Sequence, residues 1–347
     1  MSTEFLMKQP HWALGCHAIA GSPPFPSIVM DGQVLALHAL QAAAQANGQF
    51  LAGIESTLGV LAHWSHNHAV IEALVQQLKG GQLPALRERF VAQSLLQTLA
   101  PIPVPRQIFC TGANYRSHVL QLAFDQTDSV GAGGTPEERR AISEKKMNER
   151  AKNGLPYAFT KLPSAVVGPH DPITLPRGVT KPDWELELVV VIGRQARHVH
   201  RDDAMSYVAG YAVGNDISAR ERLYRHDMRT IGTDWMSCKS PPSFLPLGPH
   251  IVPAAQVPNP QALQIQLRLN GELMQDASTV EMIFDIARQI EYLSERVTLW
   301  PGDLVLTGSP AGNGTHYKRF LQPGDEVHGC IDGIGEIRNR CVAEDLA

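Results

Sequence analysis

The stretch PDWELELVVVIG, residues 182–193, constrains the fold more than any other. The five residues Leu188 to Ile192 are all apolar and can only be buried, so a strand here must enter a core. Just before them stand Glu185 and Glu187, on alternate positions. Side chains alternate faces along a strand, so the two carboxylates share one face roughly 7 Å apart, while Leu186 and Leu188 take the other. Two readings are open. A half-exposed strand could carry two solvated glutamates. Alternatively a cation neutralises the pair, because carboxylates held close in a low-dielectric site are each costly unless a proton or a metal offsets them.

The rest of the chain bears on that choice. With 347 residues, 44% of them apolar and 18% charged, the chain has the balance of an ordinary soluble globular protein of one large domain or two. A net charge of −4, with 30 Lys and Arg against 34 Asp and Glu, gives no basic stripe. That argues against nucleic acid and anionic membrane and favours a small-molecule partner. The opening MSTEFLMKQP has neither a basic nor an apolar leader region, and no apolar run approaches the ~18 residues of a membrane span. A cytoplasmic protein is expected. The five cysteines, Cys16, Cys110, Cys238, Cys330 and Cys341, are scattered, with no C-x-x-C pair. They read as reduced thiols, so any metal should have oxygen ligands. The spacing of His63, His66 and His68 suits neither one helix face nor one strand face.

Organisation changes along the chain. SIVMDGQVLAL predicts a hairpin turning at Asp31-Gly32, and helices are expected around 37–47 and 66–79. APIPVPRQ, residues 100–107, reads as an extended connector and divides an N-terminal α+β domain, 1–103, from a second domain, 104–347. The second is β-rich: short strands alternate with Gly/Pro turns, and Pro-Gly-Asp recurs at 301–303 and 323–325, each time before a strand. A sheet closing on itself is expected rather than a parallel α/β sheet. Ser278 and Glu281 form a capping-box pattern before an apolar stripe of Ile283, Ile286, Ala287, Ile290 and Leu293. Thr135-Pro136-Glu137-Glu138 opens another helix, almost wholly charged up to Gly154. Residues 121–154 are therefore an excursion, either a lid that orders over a site or a solvated insertion.

Further along, YAVGNDISAR places Asp216 at the end of another strand. A third carboxylate completes a three-oxygen cage suited to Mg²⁺ or Mn²⁺, or to a looser Ca²⁺, although an Asn-Asp turn explains the residue equally well. Arg220 could pair with a substrate carboxylate or form a structural ion pair within its own segment.

Seven blocks in order, GANYRSH, PYAFTKLPSAVVGP, DWELELVVVIGR, VAGYAVGNDISAR, KS…FLPLGP, LVLTGSPAG and FLQPGDEV, resemble the fumarylacetoacetate hydrolase family across roughly residues 104–342. The resemblance implies an α+β, β-rich fold with a mixed β-sandwich roll, a smaller N-terminal α+β domain and a homodimer. It places Glu185, Glu187 and Asp216 at the metal-ligand positions, His118 and Lys239 at catalytic positions, and Gly308 and Ser309 in a substrate-holding turn. The chemistry it implies is metal-dependent hydrolysis of a C–C bond in a 1,3-diketo acid such as an acylpyruvate, in aromatic catabolism. Decarboxylation, tautomerisation or hydration of a 2-oxo acid on the same site, and a non-catalytic ligand-binding role, are the alternatives. Two residues depart from the family pattern. Gln121 stands where many members carry the glutamate of H-x-x-E, leaving Asp125 or Asp128 as substitutes, and Leu223 replaces a frequent glutamine.

Overall fold

The computed structural model describes residues 10–125, 135–225, 227–228 and 230–345. Residues 1–9, Asp128 and the side chain of Asp125, each of which entered the sequence expectations, lie outside the described part.

The strand Leu186–Ile192 is buried along its whole length, as its apolar run requires. It lies inside a 12-stranded sheet, antiparallel on one side to Val208–Asn215, with Leu186 opposite Asn215, and on the other to Leu304–Leu306. Outward from these run Leu245–Pro253 on one flank and Ile108–Gly112 on the other, the latter parallel to Leu304–Leu306. A five-stranded sheet, which includes Gln264–Leu269, Glu272–Ser278, Glu326–Ile331 and Gly335–Ala343, packs against it. The two come close at Gly329, where a Cβ would lie 2.4 Å from Leu186 Cδ1. Only glycine leaves room for that leucine. The fold is α+β and β-rich, as expected.

Both Pro-Gly-Asp turns precede strands, with Gly302 and Gly324 at positive φ. The Asp31-Gly32 hairpin forms, with Met30 opposite Gln33. Helices occupy Leu37–Ala46 and Trp64–Lys79. The N-terminal strand Ala13–Ala18 joins the large sheet at Leu14–Ile251, and one continuous core runs from Trp12 and Leu40 to Leu188 and Val305. Residues 100–107 form neither helix nor strand.

Two expectations are corrected. The Ser278/Glu281 capping box does not start the amphipathic helix. That helix is Ile286–Ser294, capped by Asp285, whose side chain accepts from Arg288 N, while Ser278 caps a short 3-10 turn. The charged helix Pro136–Asn153 has the expected Thr135–Glu138 capping box, yet it is not wholly solvated. Met147 is buried in a small satellite core with Ile283 and Phe284, against Val119, Leu120 and Ala151.

Leu188 is completely buried in the central strand. Leu188→Ala should lower the unfolding free energy by about 2–5 kcal/mol in urea denaturation, the range for buried leucines whose surroundings collapse only partly. A loss below roughly 1 kcal/mol would place the strand at the surface.

Candidate metal centre

The strand register assembles the acidic cluster. Leu186 pairs with Asn215, so Glu185 and Asp216 fall together just past the ladder, and Asp216 N donates to Glu185 O at 2.8 Å. Asn215 Oδ1 accepts from Glu185 N, and a two-residue ladder, Pro182–Asp183 with Ser218–Ala219, closes the far end. Glu185, Glu187 and Asp216 are all buried, and ligand oxygens of the three lie within 4.8 Å of one another. Of the two readings of Glu-x-Glu, the solvated one is excluded.

Cations balance part of this charge. Lys161 Nζ lies 2.6 Å from Asp216 Oδ1, and Lys239 Nζ contacts Asp216 Oδ2 and, at 3.1 Å, Glu185 Oε2. Arg220 reaches Glu185 Oε1 and Asp183 Oδ2, each at 2.8 Å, so its ion pairs run to the neighbouring strand segment, which corrects the expectation of an ion pair within its own segment. Ser218 Oγ also donates to Glu185 Oε1 at 2.8 Å. Glu187 differs. It accepts from Gly308 N at 2.6 Å, but among the described residues no cation sits within ion-pair distance of it. Burial, then the charges of Asp216 and Glu185, push its carboxyl well above the ordinary range, against the pull of Lys239 and Gly308. Glu185 is drawn down to about 2 despite burial, by Arg220, Lys239 and His118. The cluster therefore holds an acid that, among the described residues, no cation pairs with directly. An all-oxygen donor set of this kind fits a hard divalent ion such as Mg²⁺ or Mn²⁺.

The other expected residues surround it. His118, on the helix Arg116–Asp125, is buried, with Nδ1 free of any hydrogen-bond partner. Burial depresses its pKa to about 4, Arg220 and Lys239 reinforce this, and Glu185 and Asp183 oppose it. Gln121, one turn on, accepts from Gly312 N at 2.9 Å. Gly308, at φ +99, keeps its N–H on Glu187, and its missing side chain accommodates Asn114, whose Cβ would be 2.8 Å from a Cβ there. Ser309 Oγ accepts from Gln275 Nε2 at 3.0 Å. Lys239, raised above its ordinary value by Asp216 and Glu185 in spite of burial, stays charged.

Sequence reasoning missed Lys161 and Asp183. Asp183 continues the alternate-acid pattern of Glu185 and Glu187 by one step, a signal that was present. Lys161 ends the strand Tyr157–Thr160 as a lone cation with no acid beside it in sequence. The histidines of HWSHNHAV make no metal cluster among the described residues: His66 Nε2 contacts Phe50 O, and His68 packs between Trp12 and Trp64.

Fold and cluster define a β-rich protein with a buried carboxylate centre able to hold a metal ion. Residues 107–342 match the profile of the fumarylacetoacetate (FAA) hydrolase C-terminal domain, and the chain belongs to that family. It is 34% identical over 302 residues, 84% of this chain and 87% of the other, to a mitochondrial oxaloacetate tautomerase of Rattus norvegicus. The structure of 2-hydroxyhepta-2,4-diene-1,7-dioate isomerase from Mycobacterium marinum is similar at TM-score 0.56 and 31% identity, over 74% of this chain and 82% of that one. Maleylpyruvate hydrolase from Sphingobium sp. SYK-6, solved with manganese(II) and pyruvate, is similar at TM-score 0.68 and 26% identity, over 96% of this chain and all of that one. Family members thus include tautomerase, isomerase and hydrolase. Among the described residues no helix is long and apolar enough to cross a membrane.

Glu187 binds its proton more tightly in the folded chain than in the unfolded one. Its contribution to stability is complete below the ordinary value of 4.5 and is lost as pH rises through the higher folded value. Without metal, Glu187→Gln should melt above wild type at about pH 8, with the gap closing toward roughly pH 5. Added Mn²⁺ should stabilise wild type and not the variant. Thermal melts across pH, with and without Mn²⁺, test this, and identical pH dependence of the two proteins would contradict the assignment.

Proposed function

We propose that this protein is a divalent-metal-dependent tautomerase that interconverts the keto and enol forms of a short 2-oxo dicarboxylic acid. The observation that carries the reading is the state of His118. Its ring is buried beside the acidic cluster, Nδ1 has no hydrogen-bond partner among the described residues, and the residue one turn later is an amide already engaged with Gly312. Hydrolysis of a C–C bond asks a site to generate a nucleophile from water and also to protonate a carbon leaving group. A histidine oriented and charge-stabilised by a carboxylate suits that double task. A keto–enol shift moves one proton between oxygen and carbon, and one neutral imidazole can take it and return it. Lys239 stays charged, and with Lys161 it holds Asp216 in place, which leaves proton handling to His118. A divalent ion bound at the carboxylates supplies Lewis-acid stabilisation of negative charge on the oxygens of a 2-oxo acid.

Net charge agrees with an anionic substrate. With all four buried carboxylates ionised, counting Asp183, the cluster carries one negative charge against its three cations, and a bound dication makes that one positive. The similarity to an oxaloacetate tautomerase over most of both chains supports the reaction class. One observation favours a second reading, C–C bond hydrolysis of an acylpyruvate: the likeness to a hydrolase solved with manganese(II) and pyruvate.

With Mn²⁺, wild type should speed the loss of ultraviolet enol absorbance from oxaloacetate while NMR shows an unchanged carbon skeleton. His118→Asn should lower kcat by about 10²–10⁴-fold. Pyruvate plus a second acid from an acylpyruvate, with no effect on oxaloacetate, would replace this reading by the hydrolase. The rate should also show no inflection near 6.5, the ordinary histidine value, and should fall only as His118 protonates near about 4.

A further inference from the structure

We infer that the helix Pro136–Asn153 is a brace that sets the position of His118, with Arg150 as its main positioning residue. For turnover, this rests on the reading that His118 handles the proton. The chain leaves the strand Ile108–Gly112 through Ala113, at φ 50, and enters the helix Arg116–Asp125 that carries His118. That corner is gripped from two sides. Asn114 Oδ1 accepts from Phe284 N at 2.9 Å, and its Nδ2 donates to Phe284 O at 3.0 Å and Thr307 O at 2.8 Å. From the other side Arg150 Nη1 donates to Ala113 O at 2.7 Å, with its guanidinium over the Phe284 ring, 5.3 Å from the centroid.

The remaining contacts of this helix also converge on the His118 helix. Arg116 Nη1 donates to Asn148 Oδ1 at 2.7 Å, and Met147 packs with Val119 and Leu120, the two residues after His118. Glu281 Oε2 accepts from Ser117 N at 3.3 Å. These contacts form a satellite core separate from the main one, so the brace can loosen while the sheet and the carboxylates stay in place. Arg150 makes no salt bridge among the described residues. Its donor goes to a backbone carbonyl at a left-handed turn, which a solvated insertion has no need to hold. An imidazole must lie within hydrogen-bond reach of the proton it moves, and a displacement of the order of 1 Å lowers the rate steeply.

The test compares Arg150→Ala, Arg150→Lys and wild type, each loaded with Mn²⁺. Modification of His118 by diethylpyrocarbonate, read by mass spectrometry, reports its position without turnover. Arg150→Ala should raise that rate about tenfold or more, as expected for a less protected local unit. It should lower kcat by roughly 10–100-fold with KM and the main melting transition little changed, and Arg150→Lys, which can still donate to Ala113 O, should recover most of both. Unchanged His118 reactivity in Arg150→Ala, or altered reactivity with unchanged kcat, overturns the inference. If wild type turns over neither oxaloacetate nor an acylpyruvate, the proposed function fails, and the modification rates alone decide the brace.

Discussion

Buried like charge is the constraint on which the site depends. Asp183, Glu185, Glu187 and Asp216 are all taken out of water at the ends of two neighbouring strands. Their repulsion would open the sheet there unless it were offset. Lys161, Lys239 and Arg220 come in from three separate segments to do so, and backbone N–H groups of Gly308, Gly314 and Thr315 add hydrogen bonds to Glu187 and Asp183. The cations gather on Glu185, Asp216 and Asp183. Glu187, facing the Gly308 turn, pairs with no cation among the described residues, and its carboxyl is pushed toward the protonated form by burial and by Asp216 and Glu185, against Lys239 and the Gly308 N–H.

This asymmetry ties fold to chemistry. The buried run from Leu188 to Ile192 fixes the register of the strand. Register fixes which oxygens converge, because a one-residue slip would turn Glu187 to the opposite face. Turn chemistry then sets what the oxygens meet: Gly308 can turn its N–H to Glu187 because it occupies a positive φ at which a side chain would strike Asn114. Asn114 in turn holds the corner from which the His118 helix departs. The carboxylate cluster and the helix that carries His118 are therefore linked through one glycine and one asparagine.

Much of this was legible in the sequence. The apolar run identified the central strand, Asp31-Gly32 the hairpin, and the two Pro-Gly-Asp turns the starts of later strands, since each depends on local backbone chemistry. The alternate spacing of Glu185 and Glu187 put them on one face. What sequence could not supply was partnership. Lys161 meets Asp216 from 55 positions away, and nothing near Lys161 marks it as buried. Asp183 continued a visible pattern and was passed over because the apolar run drew attention downstream. The charge-rich helix misled in the opposite direction. Its composition reads as solvated, yet Met147, Asn148, Arg150 and Ala151 make contacts near its C-terminal end, and a cluster confined to one end of an eighteen-residue helix leaves almost no periodic signal.

A carboxylate cluster of this kind does not by itself select a reaction. Holding a dication against a 2-oxo acid stabilises negative charge on oxygen whether that charge arises by loss of a proton or by cleavage of a C–C bond. Selection must come from the groups that move protons and admit water, and the ten-residue helix that carries His118 is docked on a satellite core separate from the main one. In this chain the helix carries a histidine kept neutral by burial and, one turn on, an amide tied to Gly312 where a charged partner would have raised its basicity. Under the proposed reading, an imidazole with an amide at that position exchanges a single proton rather than activating water.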